Sequence, residues 1–355
     1  MTLRDKPLAM HESSLDRFPA SHANSISPSD TAIAQYGGRE LQPNRGIPLN
    51  LDWIDAVRVN TSAVERRAQT LVTRRTVKKE CQAAWLLRAI TCMDLTTLSG
   101  DDTDERVRRL CAKARQPVQQ GIVQKLGVES LNIKVGAVCV YHRFVETARR
   151  AVEGSGIRVA AVSTGFPAGL SPLQERVNEI RRSVEAGADE IDVVITRAHV
   201  FGARWQALYD EVATFKNACG PAHLKVILGT GDLLTLRNVA RASVVAMMAG
   251  ADFIKTSTGK EAVNATLPVS LVMVRAIREY AQETEMAVGF KPAGGIRTAK
   301  QSLEWLALMK EELGTSWMKA ELFRFGASGM LADIERQLEH YVTGRYSADY
   351  RHPIA

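Results

Sequence analysis

Four side chains able to act on a carbonyl compound follow one another at regular intervals: Asp192, Lys225, Lys255 and Lys291, separated by 33, 30 and 36 residues. Each lies in a short, β-branched or aromatic run (EIDVVIT, HLKVILGT, FIKTS, AVGFKPA). A lysine amine is a nucleophile only when neutral, and with a free pKa of about 10.4 fewer than about one in a thousand are neutral at pH 7. Desolvation and a second ammonium both lower that value. In AGADFIKTSTGK, Lys255 follows Phe253 and Ile254, where burying an unpaired charge costs several kcal/mol. Lys291, one repeat further on, supplies a second ammonium, and a shift of about 3 units needs roughly 4 kcal/mol. A neutral lysine in such a cleft forms a Schiff base with a carbonyl substrate, opening carbon–carbon cleavage or formation through an enamine. Asp192 is suited to moving protons in those steps, directly or through one water, and Lys225 to orienting Asp192. Taken singly, each residue reads as a rim lysine or an ion-pair partner. Their joint occurrence carries the reading.

Two further loops have the character of an anion site. KPAGGIRT carries Gly294 and Gly295, and RFGASGML carries Gly326, Ser328 and Gly329 ahead of a helical stretch; TSTGK adds Gly259 and Lys260. Glycine frees backbone N–H groups, and a helix N-terminus adds its dipole, so these loops suit a phosphate.

The elements that must position these residues alternate. Strand-like runs fall near 89–94, 133–141, 158–166, 190–196, 223–230, 253–257, 287–293 and 323–327. Helical patterns lie between them. In SPLQERVNEIRRSVEAG, Ser171 is placed to cap, Pro172 to open the helix and Gly187 to stop it, with Leu173, Val177, Ile180 and Val184 on one face. Eight strands, each followed by a helix, predict a (β/α)8 TIM barrel over 89–342. A doubly wound open sheet is the structural rival, but no GxGxxG opens the first helix. Ahead of the barrel, 49–88 reads as a helical extension. Residues 1–48, with five of the twelve prolines, read as a disordered tail, and 343–355 as a mobile C-terminal tail.

Composition narrows the setting. The 355 residues carry a formal charge of +7, which suits anionic substrates. The basic run Arg74, Arg75, Lys78, Lys79 reads as a solvated helix face, without the aromatic platforms of a nucleic-acid site. The five cysteines show no metal-binding spacing, and neither a signal peptide nor an apolar run of bilayer length is present, so a cytoplasmic, non-membrane protein is expected. Self-association into a homo-oligomer through outer helices is common among such barrels, with no feature fixing the number of subunits.

ADFIKTSTGK, GFKPAGGIRT, GADEIDVVI, MDLTTLSGDDT and RFGAS together closely resemble the deoxyribose-phosphate aldolase family of class I aldolases, in its longer eukaryote-like branch, from about Leu51 to the C-terminus. The resemblance implies reversible cleavage of 2-deoxy-D-ribose 5-phosphate to D-glyceraldehyde 3-phosphate and acetaldehyde, in deoxyribonucleoside breakdown, without metal or organic cofactor. It further implies Lys255 as the Schiff-base lysine, Lys291 as the neighbour that perturbs it, Asp192 as the proton-transfer carboxylate and Lys225 as its support. Asp94, Cys139 and Thr230 would line the pocket. A mobile C-terminal tyrosine assists proton transfer in the family, which points to Tyr350 ahead of Tyr346. Gly329 stands where the family commonly has a second hydroxyl, which implies weaker phosphate affinity; Gly229 and Asp232 replace a larger residue and Glu; His142 replaces proline and is expected at the surface. A related barrel aldolase with another aldehyde or sugar phosphate is the nearest alternative. A non-catalytic phosphosugar-binding barrel is the alternative from another class, and it has no use for a lysine of depressed pKa.

Overall fold

The computed structural model describes residues 33–74 and 77–353. Eight parallel strands form the barrel: β3 (Met93–Thr96), β4 (Ala137–Tyr141), β5 (Arg158–Ser163), β6 (Glu190–Val194), β7 (His223–Ile227), β8 (Phe253–Lys255), β10 (Gly289–Lys291) and β11 (Phe325–Ala327). Their hydrogen-bonded order is β10-β8-β7-β6-β5-β4-β3-β11. Parallel bridges Phe290–Phe323 and Ala293–Gly326 join the two ends and close it. The β-branched runs become these strands because parallel barrel strands are buried on both faces.

Residue alternation assigns each side chain to a layer. Along β6, Ile191 and Val193 join the large outer core packed against the helices, while Val194 belongs to a small inner apolar cluster with Cys139, Ala160, Val162, Phe166 and Ile227. Glu190 and Asp192 share Val194's inward face. Close approach inside the wall demands Gly289, where a Cβ would stand 2.4 Å from the Phe253 ring. Gly289→Ala therefore lowers stability by about 1–3 kcal/mol through overpacking. An unchanged urea midpoint would contradict that.

Three expectations need correction. Of the tail assigned to 1–48, residues 1–32 lie outside the described residues, but β1 (Ala34–Tyr36) and β2 (Arg39–Pro43) form a hairpin through Gly37 and Gly38, both at positive φ. β2 then pairs in parallel with β9 (Met286–Ala287). Asn44 secures the junction, its buried amide donating to Met247 O at 2.9 Å and Ala251 O at 2.8 Å. Secondly, the helix containing Val177 runs Leu173–Glu185 with Pro172 at the cap and no side-chain cap bond, so Ser171 does not cap it. Thirdly, the C-terminal segment is docked. His352 is buried, 2.7 Å from Glu339 Oε2 and 3.6 Å from Glu335 Oε1.

Between hairpin and barrel stand the helices Leu51–Ala56, Thr61–Arg74 and Lys79–Thr91. Of the basic run, Arg75 lies outside the described residues. Among the described residues no helix is long and apolar enough to cross a membrane.

Candidate active site

The inward face of the barrel holds a buried set of charges. Register pairing places Asp192 beside Lys225, and Lys255 between Ile227 and Lys291, so the four residues occupy two adjacent levels rather than one rim. Asp192 Oδ2 accepts from Lys255 Nζ and from Lys291 Nζ, both at 2.7 Å, and its Oδ1 accepts from Lys225 Nζ at 3.2 Å. Asp94 accepts from Lys291 and Arg324. Glu190 accepts from Lys225 and, at 2.8 Å, from Arg324 Nη2. Asp94, Glu190, Asp192, Lys225 and Lys291 have no accessible surface, and Lys255 only 2%.

Burial and charge counting explain which lysine holds its proton least firmly. Three carboxylates (Asp94, Glu190, Asp192) face four buried basic groups (Lys225, Lys255, Lys291, Arg324), and Arg158, its side chain 33% exposed, reaches Glu190 at 3.3 Å from the edge. Uncompensated charge in such a place is expensive, and the set balances when one base gives up its proton. Lys255 is the one of the three lysines whose pKa falls. Burial, reinforced by the Lys291 ammonium and opposed by Asp192, lowers its pKa below the ordinary 10.5. Burial also works against charge on Lys225 and Lys291, but each faces at least two carboxylates, which outweigh it and raise both pKa values. Burial opposes ionisation of Asp192 too, and the three surrounding lysines overcome it, holding its carboxyl well below the usual range. For Lys255 burial leads, and the Lys291 ammonium adds to it.

The other candidate residues divide. Asp94 is in the charge set. Cys139 lines the inner apolar cluster, its thiol pushed up by burial beside Lys291, Asp192 and Lys255. Thr230, just beyond β7, is 5% exposed, with a buried hydroxyl that meets no partner. Such an orphan is a natural ligand contact. Gly259 faces Gly294, a Cβ on the former standing 3.9 Å from the latter's Cα. Gly294 and Gly295 both lie at positive φ. Ser328 is the N-cap residue of the helix Gly329–Thr343, whose first amides have no preceding carbonyl. Gly326 is corrected: its N–H donates to Pro292 O at 2.9 Å, so closing the barrel takes the amide assigned to phosphate. Lys260 is exposed at the loop tip.

Tyr346 and Tyr350 are not brought to the site. They are 60% and 87% exposed, and Tyr346 stacks on His340 with ring centroids 4.0 Å apart. Both follow the C-terminal end of the helix Gly329–Thr343, a 15-residue element that spans about 22 Å. His142 is at the surface, as read, with its side chain 54% exposed and 3.3 Å from Glu179.

Sequence reasoning missed Glu190 and Arg324. Both stand two positions before a recognised residue, Asp192 and Gly326, and the two-residue period of a strand places them on the same inward face. Arg324 fell inside the predicted run 323–327 but near its start, whereas the observed strand begins at Phe325.

A closed (β/α)8 barrel with one lysine of lowered pKa inside a shell of paired charges is an arrangement suited to attack on carbonyl carbon. Residues 88–331 match the DeoC/LacD family aldolases, and the chain belongs to that family. Its relatives include proteins named deoxyribose-phosphate aldolase from Homo sapiens, 57% identical over 88% of this chain and 99% of the human protein, and from Bos taurus, 58% identical over 88% and 98%. A solved structure of the Aeropyrum pernix deoxyribose phosphate aldolase, described as a tetramer, superposes with a TM-score of 0.53 at 23% identity, covering 79% of this chain and 99% of that one, and shares the fold.

Proposed function

We propose that the protein is a class I aldolase that reversibly cleaves 2-deoxy-D-ribose 5-phosphate to D-glyceraldehyde 3-phosphate and acetaldehyde, with Lys255 as the covalent centre. The observation that carries the mechanism is Lys255 Nζ, buried at the end of β8, 2.7 Å from Asp192 and lowered in pKa. The neutral amine adds to the C1 carbonyl of the open-chain sugar, and the carbinolamine loses water to give an iminium. Asp192, held ionised, takes the proton the amine sheds and returns it to the departing oxygen, directly or through one water. Asp192, ionised again, takes the C3 hydroxyl proton, directly or through one water, and the C2–C3 bond breaks. Its electron pair moves to C2, giving an enamine on Lys255 and free glyceraldehyde 3-phosphate. Protonation at C2 and hydrolysis release acetaldehyde and the amine.

Lys291 and Lys225 hold Asp192 between them, and Cys139 and Thr230 shape the pocket. Gly259, Lys260, Gly294, Gly295, Ser328 and Gly329 surround the phosphate, with Gly326 contributing close packing. Tyr350 reaches the mouth once His352 undocks. The enzyme works in the cytoplasm, where a reducing medium suits its five free cysteines, and it self-associates.

The pH dependence tests the role of Lys255. An ammonium cannot attack, so kcat/KM falls as pH drops below the Lys255 pKa and reaches its plateau below the ordinary lysine value of 10.5. A cleavage profile still climbing through pH 10.5 would contradict a neutral Lys255, and failure to cleave the phosphorylated sugar at any pH would contradict the proposed reaction.

A further inference from the structure

The loop following β8 already carries an anion of its own. Thr258 N donates to Glu261 Oε1 at 3.1 Å and Oε2 at 3.0 Å, Thr258 Oγ1 to Oε2 at 2.7 Å, and Gly259 N to Oε2 at 3.2 Å. Asn264 Nδ2 fixes the backbone beneath, donating to Glu261 O at 2.9 Å. The same Asn264 side chain packs on Gly294, where a Cβ would stand 2.7 Å from it. The carboxylate therefore sits at the edge of the Gly259–Gly294 cradle and takes an N–H group that a phosphate would use.

We propose that Glu261 sets the enzyme's preference for phosphorylated over unphosphorylated sugar, its carboxylate competing with the substrate phosphate for the Thr258–Gly259 amides. This rests on the reading of the glycine loops as the phosphate site. Two amides and a hydroxyl converging on one carboxylate are the donors a phosphate oxygen attracts. A dianion entering the cradle must displace Glu261 or lie beside its charge, and either weakens binding. Lys260 is the one cation in 256–266, and Glu261 the one acid, so the loop brings no net charge to the phosphate. A sugar without phosphate meets no such opposition.

The experiment compares wild type, Glu261→Gln and Glu261→Asp, reading KM for 2-deoxyribose 5-phosphate and for 2-deoxyribose, and competitive inhibition by inorganic phosphate. Glutamine keeps an acceptor for the loop amides and loses the charge. KM for the phosphorylated sugar and the phosphate inhibition constant are expected to fall about tenfold in Glu261→Gln, with KM for 2-deoxyribose unchanged. Glu261→Asp, which keeps the charge, is expected to stay within about twofold of wild type. If both KM values rise together in Glu261→Gln, or neither moves, Glu261 only braces the loop and the proposal is overturned. A wild type without preference for the phosphorylated sugar and without phosphate inhibition would instead overturn the phosphate-site reading on which the proposal rests.

Discussion

Lys255→Ala loses cleavage activity by at least about 10⁴-fold, because no other group can form the covalent intermediate. The charge count makes a second, less obvious demand on this variant. On the proposed reading Lys255 is neutral at rest, so deleting its amine removes no charge and leaves Asp94, Glu190 and Asp192 facing Lys225, Lys291 and Arg324, with Arg158 beside Glu190, as before. The variant is expected to remain folded, with a urea midpoint close to wild type. Steady-state cleavage of 2-deoxyribose 5-phosphate and denaturation on the same preparation check both halves. Activity within tenfold of wild type would rule Lys255 out as the nucleophile, while a collapse of stability would show that it is charged at rest.

Arg324→Leu has the opposite profile. Its guanidinium is 1% exposed and bridges Asp94 and Glu190, the latter at 2.8 Å. Removing one partner from a buried ionic cluster costs about 3–5 kcal/mol, because the carboxylates left behind are neither solvated nor balanced. Burial works against ionisation of Asp94 and Glu190, but their cationic partners prevail and depress both pKa values. In the wild type these depressed groups contribute stability that is present above the unfolded carboxylate value of about 4 and is lost as pH falls through the folded values. The variant lacks the share of that contribution that Arg324 supplies beside Lys291, Lys225 and Arg158, so its deficit is full at neutral pH and narrows on acidification. Urea unfolding at pH 7 and near pH 3.5 reads both points. A deficit below about 1 kcal/mol at pH 7, or one that grows on acidification, would show that the cluster is not held together by charge balance.

The barrel was legible because its strands are doubly buried and so spell continuous β-branched runs, such as VAAVS before Thr164 and IDVV after Glu190. The spacing of Asp192, Lys225, Lys255 and Lys291 carried the site for the same reason, one charge per repeat interrupting an apolar run. Less of the supporting structure could be read. Glu190 and Arg324 lay hidden because the search followed strand ends, whereas the buried charges continue a level deeper toward the strand starts. The hairpin β1–β2 looked like tail because its glycines and prolines resemble coil, and its parallel partner β9 has two residues and lies some 240 positions away. Docking of the C-terminal segment through His352 depends on Glu335 and Glu339 of the preceding helix, a tertiary contact with no periodic signature. Glu261 read as an ordinary loop acid, since its importance rests on which amides its carboxylate meets.

The most direct test of the central claim is borohydride trapping. Protein incubated with 2-deoxyribose 5-phosphate or acetaldehyde is reduced with borohydride, and its intact mass and peptides are read. One reduced adduct per chain is expected, on the peptide containing Lys255, and none in Lys255→Ala. A folded wild type that gains no adduct from either compound, or one labelled at Lys225 or Lys291 instead, would contradict it.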